Sequence, residues 1–175
     1  MLKKISIIFI SLLAALLLFA TTRPDVFRIE RSTRIKAPID KIFAIINDQH
    51  QAEKWSPWEK LDPSMTKTYS GPASGKGAAY HWEGNNEVGA GSSEIIESIS
   101  PSKITMKLDM LKPFEAHNIV RFTLQPEGET THVIWSMQGK QPYIAKIIGI
   151  FMNCDKIVGK QFEEGLFNLK SLAEK

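Results

Sequence analysis

Residues 143–175 read YIAKIIGIFMNCDKIVGKQFEEGLFNLKSLAEK. Apolar residues recur there at Ile144, Ile147, Ile148, Phe151, Ile157, Val158, Phe162, Leu166, Leu169 and Leu172. The steps are three, four and their sums, which lays one stripe along a helix and predicts a single long amphipathic helix over 143–175. Gly149 and Gly159 each cost a helix interior up to about 1 kcal/mol relative to Ala, so they either leave room for a ligand or interrupt the helix near Asn153. If a pocket exists, Ile147, Ile148, Phe151 and Met152 are expected to border it. Cys154 falls on the apolar side and is expected to be a small buried hydrophobe.

Everything between this helix and the N-terminus reads as short strands needing an apolar cover. Phe27, Ile29, Thr33 and Ile35 alternate with Arg28, Glu30, Ser32 and Arg34, the pattern of a half-buried first strand. Pro38 then opens a helix to about Asn47, striped by Ile39, Ile42, Phe43 and Ile46. A shorter helical segment over 50–55 ends at Trp55-Ser56-Pro57-Trp58, where Pro57 blocks continuation. Six further strands follow over 66–70, 78–83, 92–100, 104–111, 115–124 and 131–138, separated by Gly-, Asn- and Pro-rich turns. Strand, two short helices, a run of hairpin-connected strands and one long helix is an α+β order, with about seven strands in an antiparallel sheet.

The N-terminus carries a different signal. Residues 5–22 hold no charge, with Lys3 and Lys4 before them and Arg23-Pro24-Asp25 after. Eighteen uncharged residues reach the lower edge of what spans a hydrocarbon core of about 30 Å. A cleaved signal peptide is the alternative, but Leu18 and Ala20 fit a small-x-small site poorly. The expected division is an anchor (or signal peptide) over 1–22, a linker over 23–26 and one domain over 27–175. The two lysines predict a single-pass membrane protein with its C-terminal domain on the extracytoplasmic side. Cleavage would instead leave it secreted or periplasmic.

A net charge of +3 without a basic run gives no nucleic-acid footprint, and one cysteine excludes an internal disulfide. His50, His81, His117 and His132 have no metal-ligand spacing, so no metal and no cofactor is expected. Alternation sends His81, His117 and His132 to the outer face. Glu83, at a hairpin tip, points outward as well, and no serine sits in a nucleophile context. No catalytic residue is assigned. The inward positions are rich in aromatic and Met side chains: Tyr80, Trp82, Met106, Leu108, Met110, Phe122, Trp135 and Met137. These either line an apolar pocket or fill a core. Trp55 and Trp58 stand where a cavity mouth would open, and Asn118, Tyr80 and Tyr143 are the inward polar groups for orienting a ligand.

Five stretches carry a family resemblance: FRIERSTRIKAPIDKIFAIIND, KWSPWEKLDP, YSGPASGKGAAYHWEGN, VGAGSSEIIESISPSKITMKL and DKIVGKQFEEGLFNLK. In that order they resemble the START-like (SRPBCC) superfamily, and within it the polyketide cyclase/dehydrase and lipid-transport branch. The resemblance covers about 27–173. It implies a helix-grip fold, in which a curved sheet wraps the C-terminal helix and leaves a cavity for a hydrophobic small molecule or lipid. The cavity candidates are then Trp55, Trp58, Tyr80, Trp82, Met106, Met110, Asn118, Phe122, Trp135, Met137, Tyr143, Ile148, Phe151 and Met152. The expected role is a membrane-anchored binding module, with a cyclase/dehydrase-like enzyme in the same cavity as the alternative.

Overall fold

The alternating segments pair as expected in the computed structural model, which describes residues 2–175. The strands are β1 (Val26–Ile35), β2 (Thr66–Ser70), β3 (Ala79–Glu83), β4 (Ala90–Ile99), β5 (Lys103–Lys112), β6 (Ala116–Glu127) and β7 (Thr130–Lys140). They form one antiparallel sheet in the order β1-β7-β6-β5-β4-β3-β2. Consecutive strands from β2 to β7 are hairpin neighbours, and β1 closes against the last of them. A register shift between Ile95 and Glu97 on β4 adds local bend and twist to the sheet.

The helices are α1 (Leu2–Thr21), α2 (Ile39–Asn47), α3 (Ala52–Trp55), α4 (Trp58–Leu61), α5 (Tyr143–Phe151) and α6 (Cys154–Ala173), with a 3-10 turn over Gln49–Gln51 before α3. The sheet grips α6, giving the α+β helix-grip arrangement. Pro57 proves to be a start as well as a stop, because it precedes α4 as its N-cap. The expected single helix over 143–175 is two. Met152 adopts an extended conformation, and the Asn153 side chain accepts the Lys156 N–H to begin a new helix. Cys154, in the first turn of α6, is therefore exposed, not buried.

α6 runs along β1 in the same direction. Near its start, Arg31 of β1 reaches Asp155 at 3.1 Å and Glu163 at 2.8 Å. Near its end, Lys170 donates to the Arg34 carbonyl and the Lys36 N–H donates to Glu174. Hydrogen bonds to Asp155 and then Glu163 raise the Arg31 pKa above its already high value. The guanidinium passes over Gly159, where a Cβ would come within 2.0 Å of it.

The interior divides into two ends. At the end where β1 finishes, Ile35, Ile104, Leu124 and Val133 of the sheet pack with Ile42 and Ile46 of α2 and with Leu166 and Leu169 of α6, all fully or nearly fully buried. Burial of such side chains contributes about 1.5–3 kcal/mol each, so this end is the anchor of the fold. At the other end, where α1 joins β1, the packing is looser.

Candidate functional site

The looser end holds a cavity of about 240 Å³ between the concave face of the sheet, the α3–α4 segment and Phe162 of α6. Period-2 alternation aims its wall: Tyr80 and Trp82 from β3, Met106, Leu108 and Met110 from β5, Asn118, Val120 and Phe122 from β6, Trp135 and Met137 from β7. Trp55 and Trp58 close it from the helical side. The chain has four tryptophans, and all four line this cavity.

One wall is an aromatic stack. The Trp135 ring lies on Phe162 with centroids 4.1 Å apart and an interplanar angle of 8°, and it stacks on Phe122 at 4.9 Å. Trp55 and Trp58 meet it edge-on at 5.4 and 5.9 Å. Such pairs add about 0.5–1.5 kcal/mol beyond area burial, so the wall is rigid. The indole N–H groups of Trp55 and Trp135 are sealed in this cluster without an oxygen or nitrogen acceptor among the described residues. Two glycines make the ring positions possible. A Cβ on Gly165 or on Gly91 would lie 2.6 Å from the Trp135 or the Trp82 ring, closer than atoms pack. The Trp82 N–H is fixed by the Val88 carbonyl at 3.1 Å.

Polar side chains are a minority of the wall, and Asp48, Ser56 and Glu87 are among them. Gln49 donates to the Ser93 hydroxyl at 3.3 Å, and both are buried with Asn118 on the cavity wall. Glu59 lines the helical side and pairs at 2.7 Å with Lys67, which also holds Glu53 at 2.6 Å. Burial pulls the Lys67 pKa down, but the two carboxylates more than offset this and keep it above its ordinary value. Burial pushes the Tyr80 phenol well up, so Tyr80 is a neutral hydroxyl at physiological pH and no base. The rim is tied by Asp62, which accepts from Ser64 and from the Asn85 N–H. Those hydrogen bonds, Ser64 first, hold its carboxyl below the usual range.

Of the expected residues, Trp55, Trp58, Tyr80, Trp82, Met106, Met110, Asn118, Phe122, Trp135 and Met137 come together in this cavity. Tyr143, Ile148, Phe151 and Met152 do not. They lie on α5 and its exit, exposed, because the break at Asn153 lets α5 leave the sheet and lie against α1. Ile147, expected with them, is not on the wall either. Glu59, Gln49 and Val88 were missed, since short helices and turns carry no period from which an inward direction can be read, while Ser93 lies on β4 directly across from Tyr80 and could have been read from that strand's alternation.

None of the four histidines lines the cavity. His117 and His81 are exposed, His132 sits beside Glu127 at 3.5 Å, and His50 stacks on Tyr69 at 4.0 Å. Glu83 is exposed and paired with Lys112 at 2.8 Å. Among the described residues no group of His, Cys, Asp and Glu is assembled to hold a metal ion.

A curved antiparallel sheet gripping a C-terminal helix is also what known proteins share with this chain. The family model described as polyketide cyclase / dehydrase and lipid transport matches residues 26–174. The chain belongs to that family. No curated protein matches the sequence. Solved structures share the fold at low identity. The Chromobacterium violaceum protein CV1439 is 15% identical with a TM-score of 0.60, covering 87% of this chain and 99% of its own. The ginseng (Panax ginseng) major latex-like protein 151 is 11% identical with a TM-score of 0.60, covering 87% and 100%. The di-domain ARO/CYC protein BexL, of the BE-7585A biosynthetic pathway, is 17% identical with a TM-score of 0.62, covering 90% of this chain and 53% of BexL. At these identities the likeness shows the fold alone. For this member of the polyketide cyclase/dehydrase and lipid-transport family, function has to be argued from the cavity.

Proposed function

We propose that this protein is a membrane-tethered binding module that holds a hydrophobic small molecule or lipid between sheet and helix. The observation that carries the reading is the wall itself. Four tryptophans, Phe122, Phe162 and four methionines surround the cavity, and polar side chains such as Gln49, Ser93, Asn118 and Glu59 are the minority of its wall. Apolar enclosure supplies affinity, and a few fixed polar groups supply orientation. Met side chains adapt to irregular ligand shapes, which suits a carrier better than a tightly matched active site. The tether reading is supported by α1, whose span Lys3–Thr21 is long and apolar enough to cross a membrane. Only four residues separate α1 from β1, so a tethered domain would work close to its pool of poorly soluble ligand.

Because every tryptophan faces the cavity, intrinsic fluorescence reports occupancy. Titrating the full chain in lipid nanodiscs with a bromine-labelled long-chain fatty acid should quench that emission saturably, and Trp135→Phe should shift the midpoint. Quenching that only rises linearly with probe, as partitioning into the disc would give, defeats the reading.

The family also supports a second reading, a cyclase/dehydrase-like enzyme in the same cavity. The observation in its favour is Glu59, a nearly buried carboxylate on the wall. Its pairing with Lys67 occupies it electrostatically, so it serves to place a ligand before it serves as a base. Glu59→Gln separates the readings, because a binding module keeps probe affinity within a few fold while an enzyme loses turnover.

A further inference from the structure

α5 presents an apolar face with nothing of the domain over it. Ile144, Ile148 and Phe151 follow the i, i+4, i+7 spacing of one face, and Tyr143 and Met152 flank it. All five are exposed, Phe151 at 73%. The opposite face is anchored: Lys146 is buried and paired with Asp25, just after α1. Exposed apolar groups in such a row mark a surface that something else covers.

Three observations say what covers it. α5 packs on α1, the membrane-length helix. The Tyr143 hydroxyl donates to the Leu17 carbonyl at 2.8 Å, Arg23 reaches the Gly149 carbonyl at 3.5 Å, and Ala20 is fully buried. Leu17 lies more than one turn inside the end of α1, so α5 begins level with the last apolar turn of the span. Further exposed apolar residues stand at the same end, although Ile99 and Phe167 are exposed away from it. Val26 pairs with Lys140 at the margin of the sheet, and the β5–β6 hairpin tip there carries Leu111 and Phe114, the latter 78% exposed. Exposed Arg23, Lys112 and Lys140 stand within three residues of Val26, Leu111 and Tyr143 in sequence, with Asp25 and Glu115 among them, and cations so placed suit anionic headgroups.

We propose that the outward face of α5, with the β5–β6 hairpin tip, is seated in the interfacial layer of the bilayer that α1 spans. The inference rests on the tether reading above. An amphipathic helix with aromatic and Ile side chains on one face lies in that layer with its apolar side sunk toward the acyl boundary. Tyr143 occupies the headgroup level favoured by amphipathic rings. Seating this end turns the cavity toward lipid, since Met110 and Asn118 on its wall stand at the same end of β5 and β6. A hydrophobic molecule then passes between bilayer and cavity without crossing bulk water.

The test uses the full chain with Cys154→Ser, single cysteines at Ile148, Phe151 and Phe114 carrying an environment-sensitive fluorophore, and phosphatidylcholine vesicles containing a minority of phosphatidylglycerol. Nitroxide-labelled lipid reports contact. Labels at all three positions should lose most of their emission to a nitroxide just below the headgroups, while Ile99→Cys, exposed at the opposite end of the sheet, should not. Leu12→Cys in α1 should be quenched by a nitroxide deep in the acyl layer. If Leu12 is quenched and the α5 labels remain in water, the inference falls and the tether stands. If the α5 labels are shielded but not quenched, a protein surface or a second copy covers the face, and the inference falls. If Leu12 is not quenched, the tether fails and the inference falls with it.

Discussion

Trp135 is the residue whose removal reads out the cavity most directly. It is 4% exposed, stacked on Phe162 and Phe122, and touched edge-on by Trp55 and Trp58. Trp135→Ala deletes the centre of that wall, and buried Trp-to-Ala changes cost about 3–5 kcal/mol. For a domain of this size each kcal/mol moves the melting temperature by about 2–4 °C, so the expected drop is about 6–20 °C. The new void adjoins the existing cavity and is not sealed off, so a ligand that fits can refill it. A ligand at a free concentration of about 100 times its Kd for the variant stabilises the variant by about 2.7 kcal/mol, and the loss shrinks by the amount this exceeds the wild type's own stabilisation, which the enlarged cavity favours. The measurement is urea unfolding of the full chain in mild detergent, with and without a saturating apolar aromatic probe. Trp135→Leu, which keeps part of the volume, provides the same comparison if the Ala variant does not fold. A loss below about 1 kcal/mol, or a loss that the probe leaves unchanged while it still stabilises the wild type, would refute the reasoning.

The grip between β1 and α6 gives a sign test. Gly159→Ala should destabilise because its Cβ meets the Arg31 guanidinium, yet in an Arg31→Ala background the same change should stabilise by up to about 1 kcal/mol, read from urea midpoints of the four proteins. Lys67→Met should cost on the order of 1–3 kcal/mol, since it leaves Glu59, only 11% exposed, without its cation; an unchanged midpoint would show that Glu59 is solvated. His117 stands directly across the β5–β6 ladder from Asp109 at 2.7 Å, and the hydrogen bond to Asp109, more than the charges of Asp109 and Glu115, raises its pKa above 6.5. A raised folded-state pKa means the pair's stabilisation is complete below about pH 6.5 and fades as pH rises through the folded value. An NMR titration of His117 should therefore give a midpoint above 6.5, and Asp109→Asn should lower the urea midpoint more in acid than in alkali.

The strands were legible because alternation carries two messages at once, element type and direction. Tyr80 and Trp82, or Asn118, Val120 and Phe122, could be placed on one wall from their spacing, and the structure brings them together. The segment between β1 and β2 carried no such message. Glu59 sits on a four-residue helix, too short for a period to emerge, and it reaches the wall because Pro57 starts that helix where a stop was expected. The stripe over 143–175 shows a different limit. Its spacing was real and its residues are helical, but a stripe records which side chains avoid water and not what shields them. In α6 the stripe faces the sheet, and Phe162, Leu166 and Leu169 are buried. In α5 the same spacing faces outward, beside a helix that is itself apolar on every side. Asn153 explains the change: by capping α6 it lets the chain turn, so each half of the stripe can face a different apolar phase. An apolar helix face exposed beside an apolar N-terminal helix therefore calls for a cover outside the domain, and the proposed seating in the bilayer would supply it by the same burial that acts toward the sheet in α6.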